Sequence, residues 1–341
     1  MSVTTIDSVG GAAARGVTTS LTERHVDVRG KVIEGLLIAS LGITLLILAV
    51  LIGDMIKRSW SVWTDRGTDF LSSGLSVTDA SQAGVWPGLK GTIVLMILVV
   101  ILAFPLGIAC AVYLEEYAGK SSFARWTRVN VRNLAGVPSV VYGLLGLGIF
   151  VKVLNGFGEP GADLQGSGFP PLRWLGNALD WVSGHNGRNI IAGGLVLTAL
   201  VLPIVIITTM EALRAVPRAI REGALGVGAT QWETIRHHVI PAASPGILTG
   251  TVLSLARAAG EAAPILIIGA VTGTLITGDK NIVEQLSGPF TGLPAVIFSY
   301  ARLPGDDFRA VTAAAALVLL VLVLLMNGFA IWLRNRYERK W

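Results

Sequence analysis

The sequence has little charge and almost no cysteine. Only 14% of its 341 residues are Asp, Glu, Lys or Arg, against about 25% in a typical soluble domain. Apolar residues make up 52%, and the mean hydropathy is +0.65. This composition excludes an ordinary soluble domain and predicts an integral membrane protein. The single cysteine, Cys110, excludes an internal disulfide, and we interpret it as a small apolar residue of a membrane segment.

The chain also lacks the motifs of a metal site and of a nucleotide-hydrolysing enzyme. His237 and His238 are adjacent, so on a helix they point about 100° apart, and no Cys or carboxylate cluster joins them. The Gly-Lys-Ser run that follows Ala118 has Leu114 where a P-loop needs Gly. We therefore predict no catalytic residue, no metal and no cofactor on this chain. The basic residues lie in short blocks beside apolar segments, a pattern of membrane topology rather than of nucleic-acid binding.

Six apolar segments are long enough to cross about 30 Å of hydrocarbon as helices. They lie at about 35–54, 91–114, 134–154, 190–210, 246–270 and 311–333. Strands are excluded because an open edge would leave backbone groups unpaired in lipid. The predicted fold class is an all-α integral membrane protein with six transmembrane helices. We divide it into a tail (1–33), a first transmembrane helix (34–56), an extracytoplasmic loop (57–89), a five-helix core (90–333) and a tail (334–341).

The distribution of Lys and Arg predicts the orientation, because such residues favour cytoplasmic loops. The two tails and the loops 115–133 and 211–241 carry sixteen of them, and the alternate loops carry eight. Both termini are therefore expected in the cytoplasm. The first 30 residues contain no apolar signal-peptide core, so we interpret the first span as a retained helix.

The 211–241 loop is the longest structured-looking inner connection. Its composition predicts a helix from Glu211 to Ala224, a break at Gly226 and Gly228, and a second helix from Thr230 that ends at Pro241. Small residues at the break would let the backbone of another protein approach closely. The alternative interpretation is an ordinary amphipathic connection on the membrane surface.

The same loop resembles a known signature. REGALGVGATQWETIRHHVIP is similar to the cytoplasmic loop of ABC importer permeases, in which Glu-Ala-Ala is followed by Gly and later by Leu-Pro. The corresponding positions are Glu222, Gly223, Ala224, Gly228, His238, Ile240 and Pro241. Gly223 stands for Ala, His238 for Ile and Ile240 for Leu. LEEYAGK, LAGVPSVVYGL and LARAAGEAAPILIIGA extend the resemblance over most of residues 85–333, and it points to the A-type permease subunits (PstA) of high-affinity phosphate importers.

The resemblance implies a type I (MetI-like) importer permease, with a five-helix core and an extra N-terminal helix, in a bacterial plasma membrane. Its expected partners are a homologous C-type permease, two ATPase subunits that bind ATP and Mg, an extracytoplasmic phosphate-binding protein, inorganic phosphate and the lipid bilayer. No nucleic acid is expected. The coupling to the ATPase is expected at Glu222, Gly223, Ala224, Gly228, Ala229 and Thr230.

One charged pair lies inside the fifth apolar segment. Arg257 is about ten residues, or 15 Å, from the inner end of the run, and Glu261 follows at i+4, where it can form an ion pair. A lone charge at such depth costs about 2.5–3.5 kcal/mol, so both side chains should face protein or water. The pair either locks two helices together or offers an arginine fork to an oxyanion in transit. Ser139, Tyr142 and Thr198 could line the same pathway, or could make hydrogen bonds between or within helices.

Two further functions stay open from the residues alone. A permease for a related oxyanion such as phosphonate would share these features. An ion-coupled secondary transporter would need its own coupling carboxylates and usually inverted repeats, which the sequence does not display.

Overall fold

A computed structural model describes residues 28–119, 121–166, 169–184, 187–270 and 288–337. Within these residues all regular structure is helical, whereas most of the two predicted tails (1–27 and 338–341) lies outside them. The helices are α1 Val28–Arg66, α2 Asp69–Ser72, α3 Trp86–Val112, α4 Ser122–Ala135, α5 Ser139–Gly146, α6 Lys152–Asn155, α7 Gly158–Gln165, α8 Pro170–Ser183, α9 Ile190–Ala215, α10 Arg218–Gly226, α11 Gln231–Thr234, α12 Ile240–Gly260, α13 Ala263–Ile268, α14 Leu293–Ala301 and α15 Asp306–Tyr337. Three π-helical turns are Tyr113–Tyr117, Leu147–Val151 and Ile235–Val239.

Six helical stretches are long and apolar enough to cross a bilayer, which confirms the predicted fold class. They are Arg29–Arg66, Trp86–Tyr117, Ser139–Gln165, Ile190–Ala215, Gln231–Gly260 and Asp306–Arg336. Four of them run beyond the apolar segment that predicted them at one or both ends, because a helix satisfies its own backbone hydrogen bonds and can continue into the polar interface. The third begins later than predicted, at Ser139, and the fifth ends earlier, at Gly260.

The chain forms two compact units, residues 1–54 and 55–341. In the first unit, the described residues form the greater part of α1. In the second unit, α9 is the central helix, with two thirds of its apolar window buried. It packs against α3, α12, α4 and α5. Around it lies the largest apolar core, which includes Leu95, Val99, Val196 and Leu200.

Glycines let the helices of the second unit approach closely, since membrane helices associate by van der Waals packing rather than by water exclusion. A Cβ atom on Gly194 of α9 would lie 2.9 Å from Leu98 of α3. A Cβ atom on Gly246 of α12 would lie 2.7 Å from Ala212 of α9. These close approaches fix α3 and α12 on two sides of the central helix.

The fifth span differs from the continuous segment 246–270 that the hydropathy predicts. Helix α12 ends at Gly260, Glu261 has an extended backbone (φ −81°, ψ 112°), and α13 begins at Ala263. Pro264 explains the break, because it has no N–H for the carbonyl of Gly260 and its ring would clash with that carbonyl.

The 211–241 loop also differs from its prediction. Helix α9 ends at Ala215, and Val216 is extended before Pro217, because a residue that precedes proline avoids the α conformation. The predicted helix Glu211–Ala224 is therefore two helices. The predicted end at Pro241 is wrong: the π-helical turn leads directly into α12, and Pro241 lies within this continuous helical stretch.

Candidate functional site

Arg257 and Glu261 lie together at the break in the fifth span. The Nε of Arg257 is 3.4 Å from Oε1 of Glu261. Arg257 belongs to the last turn of α12, where the helix dipole favours a cation, and Glu261 is the residue that caps the helix. The ion pair expected from the spacing is therefore present, although a helix end, and not a continuous helix, positions it.

The pair lies where the first helix of the fifth apolar segment ends. Arg257 is 17 residues, or about 26 Å of helix, beyond Ile240, where α12 begins, and three residues before Gly260, where α12 ends. The short apolar helix α13 follows and continues the segment to Ile268. The guanidinium therefore lies inside the apolar segment, beside the break between its two helices.

The pair nevertheless lies on an exposed face of this chain. The side chain of Arg257 is 44% exposed and that of Glu261 is 20% exposed. Leu253, one turn before Arg257 and on the same face of α12, is 63% exposed. Lipid is an unfavourable environment for an exposed guanidinium, by about 2.5–3.5 kcal/mol at the centre of a membrane helix. Water or another protein must therefore cover this face in the assembled membrane protein.

Two of the other predicted pathway residues are near this break, and one is buried in the core. Ser139, partly exposed, begins α5, which packs against α13. Tyr142 of α5 is 8% exposed, and its hydroxyl donates a hydrogen bond to the carbonyl of Leu134 at 2.9 Å. Thr198 is 6% exposed, and its hydroxyl has no partner among the described residues. The structure thus gives the hydroxyl of Tyr142 a structural partner, and it places Thr198 away from the exposed face that carries Arg257.

The inner loop presents an apolar and glycine-rich surface. Large side chains are exposed at Leu225 (50%), Val227 (87%) and Trp232 (53%). Among the predicted coupling residues, Glu222, Gly223, Gly228 and Thr230 are exposed, Ala229 is partly exposed and Ala224 is buried. Exposed apolar residues grouped in this way are typical of a protein-binding surface.

Thr230 and Gly228 shape this surface. Thr230 forms a capping box with Glu233: its hydroxyl accepts from the backbone N–H of Glu233, whose carboxylate in turn accepts from the backbone N–H of Thr230 at 2.8 Å. Gly228 has φ +92°, a conformation that favours glycine. A Cβ atom on Gly228 would meet no atom within 4 Å. The backbone conformation of Gly228 therefore requires glycine, although there is room for a side chain.

Comparison with known proteins identifies the family. The model of the family described as binding-protein-dependent transport system inner membrane component matches residues 103–339, more than half of the chain. The chain belongs to this family. It is a multi-pass membrane protein and the permease subunit of an ABC importer.

The permease has relatives over most of its length. It is 31% identical over 292 residues to the phosphate transport system permease protein PstA 1 of Mycobacterium tuberculosis, and the match covers 86% of this chain and 84% of that protein. It is 28% identical over 284 residues to the phosphate transport system permease protein PstC of Mesorhizobium japonicum, and the match covers 83% of each chain.

A solved structure shows the same fold. A chain of a bacterial alginate ABC transporter, solved in complex with an alginate pentasaccharide-bound periplasmic protein, aligns with 90% of the permease and 95% of its own length. The TM-score is 0.54 at 17% identity. This similarity supports the importer permease fold of the chain.

Two carboxylates at the C-terminal end of the second span are not among the predicted site residues. Glu115 and Glu116 lie in the π-helical turn after α3, and their side chains are only 12% and 10% exposed. Glu115 binds Arg214 through two hydrogen bonds of 2.6 and 2.9 Å. Two adjacent acidic residues at the end of an apolar run could have indicated an ion-pair site. The sequence does not show which arginines bind them.

No group of three or more His, Cys, Asp and Glu residues that could hold a metal ion occurs within the described part of the permease. Both histidines of the inner loop, His237 and His238, are exposed. Charged side chains of the described residues form ion pairs, among them Arg257 with Glu261 and Arg221 with Glu116.

Proposed function

We propose that this permease is the A-type half of an ATP-driven phosphate importer. The observation that carries the proposal is an arginine inside the fifth apolar segment, exposed on one face and paired at 3.4 Å with a carboxylate. The names of the PstA and PstC relatives support phosphate as the substrate. The GEAAP sequence at Gly260–Pro264 favours the A-type over the C-type subunit.

Arg257 has the properties needed to attract an oxyanion into the membrane. Its guanidinium is a cation that presents a planar fork of donors, which matches phosphate oxygens. Glu261 orients that fork and also competes with the substrate for it. A competing carboxylate weakens binding, which suits a site that must release the anion after each cycle.

The exposed surface around α10 and α11 is the proposed docking site of one of the two ATPase subunits, which bind ATP and Mg. Leu225, Val227 and Trp232 supply apolar contact area, and Gly223 and Gly228 leave room for close backbone approach. The homologous C-type permease covers the Arg257 face and completes the pathway. An extracytoplasmic phosphate-binding protein delivers the substrate, and both termini lie in the cytoplasm, in agreement with the charge bias.

Reconstitution of the permease with its C-type partner and the ATPase subunits in lipid vesicles tests the proposal. We expect phosphate uptake that requires ATP and the binding protein and that an imposed ion gradient cannot replace. Uptake driven by the gradient without ATP would show a secondary transporter instead. Preferred uptake of a phosphonate over phosphate would correct the substrate.

A further inference from the structure

The two carboxylates of the π-helical turn bind different parts of the inner surface. Glu115 binds Arg214 of α9 and lies 3.5 Å from Nε of Arg128 of α4. Glu116 instead binds Arg221 of α10, with Oε1–Nη2 at 2.7 Å and Oε2–Nε at 3.3 Å. Only Glu116 therefore connects α10, part of the proposed ATPase-docking surface, to the end of the second span.

Arg221 also holds the junction between α9 and α10. Its Nη1 donates to the carbonyl of Val216 at 2.8 Å, and its Nη2 donates to the carbonyl of Leu213 at 2.8 Å. These carbonyls lie where α9 ends before Pro217, so the helix cannot supply their usual donors. Arg221, a residue of α10, thus binds the end of α9 across the break.

The second half of the docking surface is attached to the same residue. Nε2 of Gln231, the first residue of α11, donates to the backbone carbonyl of Glu116 at 2.6 Å. Helices α10 and α11 are therefore both held to Glu116, one through its carboxylate and the other through its backbone. The turn between them, Val227–Thr230, is largely exposed.

We propose that Glu116 and Arg221 are positioning residues that transmit a displacement of α10 to the inner ends of the second and fourth spans. Charge-assisted, bidentate bonds with little exposure resist separation more than single surface contacts do. When a partner moves α10, the pair makes α3 and α9 follow. This inference rests on the proposed docking of an ATPase at the inner loop.

Adjacent carboxylates provide a matched test. Glu116→Gln and Glu115→Gln remove the same charge one residue apart, but only the first loosens α10. In the reconstituted complex, we expect Glu116→Gln to raise the ATP hydrolysed per phosphate transported about tenfold, within the 5–150-fold range of typical coupling between sites. Glu115→Gln should leave this ratio near the wild-type value, even where it lowers the yield of the complex. Asp306→Asn, in an exposed pair with Arg309, controls for neutralisation of a carboxylate as such.

A second variant and a second measurement address loss of folding. Arg221→Lys keeps the charge but cannot make the fork and both carbonyl bonds, so it should raise the same ratio. The double variant Glu116→Gln/Arg221→Lys should hydrolyse no more ATP per phosphate than the more affected single variant, because both changes disrupt the same ion pair. Amide hydrogen exchange of residues 218–226, measured on the assembled complex without ATP, should be faster in each of these variants.

The results separate this inference from the proposed function. An unchanged coupling ratio together with unchanged exchange in Glu116→Gln would overturn the inference, as would an equal rise of the ratio in Glu115→Gln. A wild-type complex that transports no phosphate would instead overturn the proposed function. In that case the exchange of residues 218–226 would still test the attachment of α10.

Discussion

Replacement of Arg257 by glutamine should abolish most transport without loss of the assembled complex. Glutamine retains hydrogen-bonding groups and much of the side-chain length but removes the charge. The change leaves Glu261, only 20% exposed, without its ion-pair partner. Because the pair lies on a face that water or another protein covers, that carboxylate need not be left in lipid, so we expect the subunit to fold and to bind its ATPase.

The magnitude follows from the bonds that the guanidinium would make to an oxyanion. A hydrogen bond to a charged group contributes about 1.5–3 kcal/mol. Loss of this contribution corresponds to a decrease in phosphate uptake of roughly 10- to 150-fold. Arg257→Lys should recover only part of the rate, because it restores the charge but not the planar fork. Arg309→Gln, which breaks an exposed pair of 2.7 Å with Asp306, is the matched control and should transport normally.

Phosphate uptake, complex yield and thermal stability should be measured on the same preparations. If Arg257 and Glu261 only lock helices together, uptake should fall in proportion to assembly. Replacement of both residues by apolar ones should then be well tolerated, since paired ions can often be exchanged for packed apolar side chains. Near-normal uptake by that double variant would refute the pathway role of Arg257.

Three further substitutions test the geometry. Gly143→Ala should destabilise the permease by about 1–3 kcal/mol, because the added Cβ would lie 2.9 Å from the backbone of α13. The control Gly148→Ala adds a Cβ in open space and should not lower the thermal unfolding temperature. Tyr142→Phe should cost about 1 kcal/mol of stability for the lost hydrogen bond, and uptake per assembled complex should stay normal if the hydroxyl is structural. Gly228→Ala should lower the stability of the permease by about 1 kcal/mol or more, because alanine is strained at a φ of +92°, and it should weaken substrate-stimulated ATP hydrolysis. Gly226→Ala, at the end of α10 and in open space, is the control and should change neither.

Hydropathy alone was sufficient to predict the number and approximate place of the membrane spans. Apolar runs of about 20 residues have few other stable arrangements, because backbone groups in lipid must be satisfied within a helix or a closed barrel. The i+4 spacing of Arg257 and Glu261 also predicted their contact, which the structure confirms at 3.4 Å. The coupling role of the inner loop and the pathway role of Arg257 stay predictions.

The predicted helix limits were wrong where a single proline determines the local backbone conformation. Val216–Pro217 ends α9 within a stretch of good helix formers, and Pro264 ends the fifth helix within an apolar run. The partners of Glu115 and Glu116 lie about one hundred residues further along the chain, at Arg214 and Arg221. Such long-range pairing depends on how the helices pack around α9, and spacing in a single sequence contains no information on it.

The exposed guanidinium of Arg257 also has a consequence for how the cell makes this subunit. A newly synthesised chain must enter the bilayer before it meets its partners, and during that interval this face has only lipid beside it. An unassembled subunit therefore exposes a charged side chain to lipid, and local bilayer distortion and membrane proteases would limit its lifetime. Synthesis together with the partner permease should raise its abundance, so that assembly itself controls how many importers the membrane contains.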